Sequence, residues 1–315
     1  MGDRIATREA YGNALVKLGE MNPRVVVLDA DLSKSTKTEA FKKKYPERFF
    51  QMGIAEADMM ATAAGLAIAG KIPFASSFAV FATGRAFDQV RNSIGYPGLN
   101  VKIAATHAGV TVGEDGASHQ SIEDMALMRA IPGMTVLNPA DAAEAEKLVF
   151  AAAAYEGPVY IRLGREPMPV VFGLDYQPEI GKAVRLRDGK AATIFATGIM
   201  VERALLAADL LEQKGHTIRV VNIHTLKPID SAEIIKASWE TGAIVTAEEH
   251  SVIGGLASAV SEVVVQNHPV PMEFIAINDR FGQSGTPAEL LKEYKLTPED
   301  IVNAVEKVIK RKFDE

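Results

Sequence analysis

Cysteine is absent from the 315-residue sequence, and this excludes disulfides, thiol catalysis and zinc sites built on cysteine. Long apolar runs are absent too, because the longest stretch without Asp, Glu, Lys or Arg, residues 72–84, is too short to cross a hydrocarbon layer about 30 Å thick. Basic residues are fewer than acidic ones, with 34 Lys and Arg against 40 Asp and Glu. The sequence also lacks the cluster of basic residues that binding to nucleic acid requires. We therefore expect neither a membrane nor nucleic acid as a partner.

What is present is an ordinary composition of 48% hydrophobic and 23% charged residues, which favours a globular protein over a disordered or fibrous one. The opening residues MGDRIATREA lack the apolar core of a secretory signal, so we expect a cytoplasmic location. At roughly 150 residues per domain, the length suggests about two domains.

Short β-branched runs alternate with helical segments, and this alternation predicts an α/β fold. The predicted strands are residues 25–28, 101–105, 135–137, 159–163, 192–196, 218–223, 244–247 and 274–277. We expect two domains, each a mainly parallel sheet flanked by helices. Between residues 165 and 190, Pro and Gly are frequent and no periodicity persists. The predicted boundaries are a first domain at 1–172, a linker at 173–190 and a second domain at 191–315.

Glu56 lies near the start of a segment with only two charges, residues 53–70, which as a helix is apolar nearly all round and should be buried. Its helical neighbours are all apolar: Met59, Met60, Ala63, Ala64 and Ala67. Burial disfavours the charged form of a carboxyl group, whereas a helix N-terminus favours it. Two roles therefore stay open: a functional carboxylate in a dry site, or a glutamate that satisfies free backbone N–H groups of the first turn.

A glycine-containing loop, residues 106–120, follows a predicted strand and carries His107, Asp115 and His119. Open α/β sheets bind ligands at the carboxyl edge of their strands, where this loop begins. A metal site is one interpretation, but the spacing matches no known metal motif. A solvated polar loop is another, but it does not account for two of the six histidines lying so close together. We favour a polyhydroxylated substrate and predict no bound metal. Ser121 is predicted to cap the helix that follows.

Five separated motifs together resemble transketolase in order and spacing. They are Gly53-Ile-Ala-Glu56, Ser77-Phe78-x-x-Phe81, Ala105-Thr106-His107, Gly113-Glu-Asp115-Gly-x-x-His119-Gln120 and Ile131-Pro132-Gly133. The match spans most of residues 1–170, so the sequence resembles the second half of a transketolase, a pyrimidine-binding domain followed by the C-terminal domain. The family grips the diphosphate of thiamine diphosphate and its Mg²⁺ with a Gly-Asp-Gly segment followed by an Asn, and no such pairing occurs in this sequence.

The resemblance therefore implies a partner, a subunit of the transketolase N-terminal type that holds most of the thiamine diphosphate and the Mg²⁺. It implies a heterotetramer with two copies of each chain. Glu56 matches the catalytic residue that hydrogen-bonds the aminopyrimidine N1′ of the cofactor. Phe78 and Phe81 match residues that pack around the pyrimidine ring, and Asp31 is also placed at the cofactor. His119 matches a catalytic residue that contacts the C1 hydroxyl and the carbonyl of the donor sugar.

The same resemblance assigns the substrate. His107 and Asp115 match residues that recognise sugar hydroxyls. Arg8, Ser35 and Arg165 match the end of the site that binds the sugar phosphate, and the planar fork of Arg suits phosphate because it donates two hydrogen bonds at once.

The implied reaction is the transfer of a two-carbon ketol unit from a ketose phosphate to an aldose phosphate. Gly84 stands where long single-chain transketolases usually have an aromatic residue. One alternative is therefore a 1-deoxyxylulose-5-phosphate synthase, which residues 85–90 and 53–56 resemble more closely, although that family usually has Asp-Arg where this sequence has Thr106-His107. A second is the β subunit of 2-oxoacid dehydrogenases, which shares the two-domain plan but lacks the histidine loop motif. A third is a non-catalytic interaction subunit, and the joint presence of the predicted site residues argues against it.

Overall fold

The structure, a computed structural model, describes residues 4–173 and 175–313. Residues 1–3, 174 and 314–315, which the predicted domains and linker include, lie outside the described residues. Three β-sheets form within the described residues, with seven, five and two strands.

The strands are β1 Arg4–Ile5, β2 Val25–Asp29, β3 Phe49–Gln51, β4 Ile72–Phe78, β5 Lys102–Thr106, β6 Thr135–Leu137, β7 Val159–Arg162, β8 Met168–Pro169, β9 Val184–Arg187, β10 Ala192–Ala196, β11 Ile218–Asn222, β12 Thr225–Lys227, β13 Ile244–Ser251 and β14 Met272–Ile277. The helices are α1 Thr7–Met21, α2 Ser33–Thr36, α3 Glu39–Lys44, α4 Glu56–Ile68, α5 Phe87–Gln89, α6 Asp124–Ala130, α7 Ala142–Ala154, α8 Met200–Gln213, α9 Ser231–Thr241, α10 Leu256–Asn267, α11 Pro287–Glu293 and α12 Pro298–Phe313. Two π-helical turns, Phe81–Arg85 and Val90–Gly95, flank α5.

The seven-stranded sheet has the order β12-β6-β7-β5-β4-β2-β3, and neighbouring strands run parallel except β12, which is antiparallel to β6. Its central strands β2, β4, β5 and β7 are buried along their whole length, as expected for a parallel sheet that is covered on both faces. Side chains from α1 and α7 pack on one face, and side chains from α4 and α6 pack on the other.

The five-stranded sheet has the order β14-β13-β10-β11-β9 and is parallel except for β9, which is antiparallel to β11. Helices α8 and α12 contribute to the core on one face, and α9 and α10 to the core on the other. Two parallel-dominated sheets flanked by helices confirm the predicted fold class.

The two halves of the chain, which correspond to the two predicted domains, are joined by strand pairing and by a common apolar core. Strand β12 comes from the second half but pairs with β6 of the first sheet, where Thr225 lies opposite Leu137. Met125 of the first half and Phe195 of the second belong to one continuous buried apolar cluster. Strand β9 falls inside the predicted linker, 173–190, and the predicted domain boundaries stay a prediction.

Every predicted strand is confirmed, although several ends shift by a few residues. Strand β4, an interior strand between β2 and β5, was missed. The expectation that the apolar helix carrying Glu56 is buried holds for one face only, because Met59, Met60 and Ala63 are buried but Ile68 is 75% exposed. None of the helices in the described residues is long and apolar enough to span a bilayer.

The predicted cap at Ser121 is also wrong. Helix α6 begins at Asp124 with Glu123 in the capping position, and no side chain caps it. The carboxylate of Asp124 instead accepts hydrogen bonds from Nε of Arg162 at 2.8 Å and from the hydroxyl of Tyr160 at 2.6 Å. A buried ion pair therefore occupies the place where the sequence suggested a simple helix start.

Candidate active site

The predicted site residues gather at one edge of the seven-stranded sheet. Strands β2, β4 and β5 run parallel and end at this carboxyl edge. Asp31 follows β2, Phe78 is the last residue of β4, and His107 follows β5. Arg165 follows β7 at the same edge, because β7 is parallel to β5. The sheet therefore brings together residues that are far apart in the sequence, at the edge where such sheets bind ligands.

Glu56 is the first residue of α4 and is only 2% exposed. Its two carboxylate oxygens both accept from Nη1 of Arg85, at 3.1 and 3.0 Å. Met59 and Met60, one turn further along α4, are fully buried. A carboxylate beside apolar side chains needs a charged partner, and here that partner is a guanidinium from another segment.

Arg85 is a site residue that sequence reasoning missed. It lies in the π-helical turn Phe81–Arg85, and its guanidinium carbon stands 4.4 Å from the centroid of the Phe81 ring. Its side chain is 51% exposed, so the ion pair with Glu56 opens toward solvent on the arginine side. One feature of the sequence could have revealed Arg85. It lies four residues after Phe81 in a helical segment, and this spacing places the two side chains on one face.

Aromatic rings form a continuous wall that Arg85, stacked on Phe81, connects to Glu56. The ring of Phe78 stacks on the imidazole of His107 with centroids 3.8 Å apart and on the ring of Phe81 at 6.0 Å. His119 meets Phe81 edge-on at 5.4 Å. The two predicted pyrimidine-packing residues and the two predicted sugar-binding histidines therefore line the same wall.

His107 is a neutral imidazole held from both sides. Its Nδ1 lies 2.9 Å from Oγ1 of Thr106, and its Nε2 lies 3.2 Å from Nη1 of Arg8. Because a guanidinium can only donate, Nε2 must accept and the ring proton is assigned to Nδ1. Burial, with the positive charges of Arg8 and Arg165, lowers the pKa of His107 to about 3. With both ring nitrogens engaged and an arginine beside it, His107 is a poor ligand for a cation.

The predicted phosphate end is rich in arginine. Nη1 of Arg8 donates to the backbone carbonyl of Ser35 at 2.9 Å, so Ser35 contacts Arg8 through its main chain. Nη1 of Arg165 donates to the carbonyl of Val112 at 2.5 Å and lies 3.7 Å from the carboxylate of Asp115. Arg8, Arg165 and Arg4 line one surface cleft of about 480 Å³. The cleft is also lined by Glu9 and Glu166, so it is the three guanidinium groups, and not the cleft as a whole, that suit an oxyanion.

Another open cleft, of about 670 Å³, is lined by Arg280, Lys292 and Tyr294 and contains none of the predicted residues. Among the residues that the structure describes, no group of three or more His, Asp or Glu side chains is placed to hold a metal ion.

Asp31 stands apart from the aromatic wall. It is exposed, has a positive φ of 62°, and its N–H donates to Oε1 of Gln51 at 2.8 Å. The neighbouring Asp29, which sequence reasoning missed, is fully buried and accepts from the hydroxyls of Thr36 and Thr38 at 2.7 and 2.9 Å. Asp29 therefore organises the turn that places Asp31 and Ser35, while cofactor contact by Asp31 stays a prediction.

Comparison with known proteins decides the family. Residues 3–170 match the model of the transketolase pyrimidine binding domain, and residues 181–301 match that of the transketolase C-terminal domain. The chain belongs to the transketolase family. This confirms the resemblance that the motifs indicated, and the family consists of transferases that depend on thiamine diphosphate.

Three relatives indicate which part of a transketolase the chain resembles. A protein of Methanocaldococcus jannaschii named as a transketolase C-terminal section is 49% identical over 307 residues, which are 96% of each chain. The 6-deoxy-6-sulfo-D-fructose transketolase subunit SqwH of Clostridium sp. (strain MSTE9) is 43% identical over 97% of this chain and 95% of its own. The solved structure of a split gene transketolase, an inactive β4 tetramer, is 58% identical with a TM-score of 0.92 and covers 98% of this chain and 99% of that one. In extent, the chain resembles the C-terminal section of a split transketolase.

Proposed function

We propose that this chain is one subunit of a split transketolase that moves a two-carbon ketol unit from a ketose phosphate to an aldose phosphate. The observation that carries the proposal is the buried carboxylate of Glu56 beside an aromatic wall that also holds His107 and His119. A dry carboxylate, flat apolar rings and sugar-binding imidazoles are the parts that this chemistry requires on the pyrimidine side.

The residues fit part of the cofactor. Phe78 and Phe81 offer flat apolar surfaces for a pyrimidine ring, and Glu56 offers a buried carboxylate to a ring nitrogen. When bound, thiamine diphosphate supplies a carbon centre that takes up and releases the ketol unit. The described residues offer no cluster of three or more His, Asp or Glu side chains for the Mg²⁺ that accompanies the diphosphate. We therefore assign the metal and the diphosphate mainly to a partner chain.

Each side chain then has a role of its own. Glu56, which pairs with Arg85 in this structure, would offer its carboxylate to the pyrimidine N1′ and hold a proton at that oxygen. Phe78 and Phe81 exclude water from that proton. His119 and the neutral His107 orient hydroxyl groups of the sugar, together with Asp115, and Arg8 and Arg165 bind its anionic end.

The partner is a subunit of the transketolase N-terminal type, in a heterotetramer of two copies of each chain. The exposed apolar residue Ile54, two residues before Glu56, supports a docking surface at the start of α4, and Ile68 is exposed at the other end of the helix. Tyr96, which is 91% exposed, follows the turn Val90–Gly95 that packs against α4. The inactive β4 tetramer of the related split enzyme supports the view that this subunit type has no activity without its partner.

The anionic end of the substrate is proposed to be a phosphate. A sulfonate is the second candidate, because the relative from Clostridium is named for a 6-sulfo sugar and Arg forks bind both oxyanions. Comparing kcat/KM for fructose 6-phosphate and for 6-deoxy-6-sulfofructose as donors separates the two, and we expect the phosphate to be favoured.

Glu56→Gln tests the proposal in the complex with the partner. The amide keeps the shape of the carboxylate but cannot share its proton, so we expect an assembled complex that has lost most of its activity, by about 100-fold or more. Exchange of the C2 proton of bound thiamine diphosphate, followed by NMR, measures the affected step. Unchanged exchange in the variant would contradict the role of Glu56.

A further inference from the structure

The loop that carries Asp115 and His119, residues 113–120, has no regular secondary structure of its own. Gly113 and Gly116 adopt positive φ values of 89° and 74°. Inside the loop, the N–H of Gly116 donates to the carbonyl of Gly113 at 3.2 Å, and the N–H of His119 donates to that of Gly116 at 3.0 Å. Short turns of this kind do not fix a loop in space, so its placement depends on what surrounds it.

Gln120, at the end of this loop, is 3% exposed and ties it to two other segments. Its Nε2 lies 3.2 Å from the carbonyl of Val110, 3.0 Å from that of Gly113 and 2.9 Å from that of Gln283. The first two carbonyls belong to the first half of the chain and the third to the second half. One buried amide group therefore joins the loop to the C-terminal half, which contributes none of the predicted site residues.

Residues 282–285 of the C-terminal half lie directly against the loop. A methyl group added at Gly282 would stand only 1.8 Å from Oε1 of Gln120, and one added at Gly116 would stand 3.5 Å from the backbone nitrogen of Ser284. The hydroxyl of Ser284 also donates to the carbonyl of Glu114. The side chain of Gln120 approaches residue 282 this closely because that residue is a glycine, and a larger side chain there would collide with it.

We propose that Gln120 is a positioning residue, through which residues 282–285 of the C-terminal half hold the loop 113–120 in the geometry that presents Asp115 and His119 to the sugar. The inference rests on the proposed function for the roles of those two side chains. In this arrangement the C-terminal half contributes to substrate recognition by positioning the loop.

Hydrogen exchange of the isolated chain tests the contact directly. Gln120→Glu keeps the size of the side chain but replaces the donor Nε2 with an oxygen that faces three carbonyls. We expect the amides of Gly116, His119 and residue 120 to exchange about tenfold faster or more, with those of β5 and β13 unchanged. Gly282→Ala, which disturbs the contact from the other side, should have the same local effect.

Two variants serve as controls. Gln266→Glu changes an exposed glutamine of α10 whose Nε2 also donates to a backbone carbonyl, that of Glu262 at 2.8 Å. Gly173→Ala adds a methyl group that meets no described atom within 4 Å. Both should leave exchange in the loop unchanged. If Gln120→Glu and Gly282→Ala accelerate exchange no more than these controls do, the proposal is overturned.

The consequence for the reaction is measured in the complex with the partner. A displaced loop should lower kcat/KM for the ketose donor by about 10- to 100-fold and leave the affinity for thiamine diphosphate unchanged. Full turnover by Gln120→Glu despite faster loop exchange would overturn the positioning role. If the wild-type complex transfers no ketol unit, the proposed function fails, and the exchange comparison still decides whether Gln120 holds the loop.

Discussion

At the scale of a single residue, His107 shows how burial and charge set the state of a group in the candidate site. It is 3% exposed, has a positive φ of 57°, and contacts a guanidinium that can only donate. Burial is the largest cause of its lowered pKa, and the positive charge of Arg8 is the next. His107 therefore acts as a neutral hydrogen-bonding group through the physiological range.

Titration of His107 by NMR of its ring nitrogens checks this state. We expect the imidazole to stay neutral at pH 5 with its proton on Nδ1. Arg8→Gln should raise its pKa, but not to 6.5, because burial remains. The unfolded chain binds this proton below pH 6.5 and the folded one only near pH 3, so the stability due to a neutral His107 falls as the pH drops between these values. Titration of the wild-type residue near 6.5 would contradict the account.

Arg165→Ala tests the anionic end of the site. Charge-assisted hydrogen bonds contribute roughly 1.5–3 kcal/mol each, so we expect KM for phosphorylated donors to rise by about tenfold or more. Hydroxypyruvate lacks the phosphate and should be little affected as donor with the same non-phosphorylated acceptor. Equal losses with hydroxypyruvate and with xylulose 5-phosphate would indicate that Arg165 supports the fold or an interface.

Residue types in motifs predict which side chains reach the site, but they do not predict the pairs that these side chains form. His107 and His119 could be placed at the carboxyl edge of the sheet because their loop follows the predicted strand at 101–105. Phe78 was placed with them only by the family resemblance, because the strand that it ends was missed. The pairing of Glu56 with Arg85 could not, because it depends on a π-helical turn that sequence periodicity does not reveal. Asp29 was missed since its hydrogen bonds to threonines arise only after the chain turns back.

At the scale of the element, strands were predicted from runs of β-branched residues, so strands without such runs were missed. The missed strand β4 contains Pro73 and two serines, and proline normally argues against a central strand. It lies in the sheet because Pro73 is only its second residue and its apolar and small side chains pack on both faces. Strand β12 was missed because it is short and joins a sheet formed by distant residues.

The buried pair of Arg162 and Asp124 links elements of both halves. Arg162 of β7 binds Asp124 of α6 and also donates from Nη2 to the carbonyl of Glu249 in β13 at 2.9 Å. Both side chains are almost completely buried. Removal of one partner leaves an uncompensated charge in the interior.

Arg162→Met should therefore lower the free energy of unfolding by about 3–5 kcal/mol, as measured by urea denaturation. Arg187→Met is the matched control, because Arg187 pairs with Asp209 and Glu212 at the surface, and it should cost less than about 1 kcal/mol. Equal effects of the two substitutions would contradict the structural role assigned to the buried pair.

At the scale of the whole molecule, the seven-stranded sheet and a shared apolar cluster join the two halves of the chain. The proposed pyrimidine side of the site lies on this chain, and the exposed apolar residue Ile54 lies two residues before Glu56. The metal and diphosphate side is assigned to a partner. The central claim is that activity belongs to the two chains together.

The most direct test measures ketol transfer from xylulose 5-phosphate to ribose 5-phosphate in the presence of thiamine diphosphate and Mg²⁺. The samples are this chain, a transketolase N-terminal-type chain of the same organism, and their mixture. We predict no turnover by either chain alone, and turnover by the mixture that is greatest at equal amounts and is lost with Glu56→Gln. A mixture that assembles and binds thiamine diphosphate but forms no product, or full turnover by this chain alone, would contradict the account.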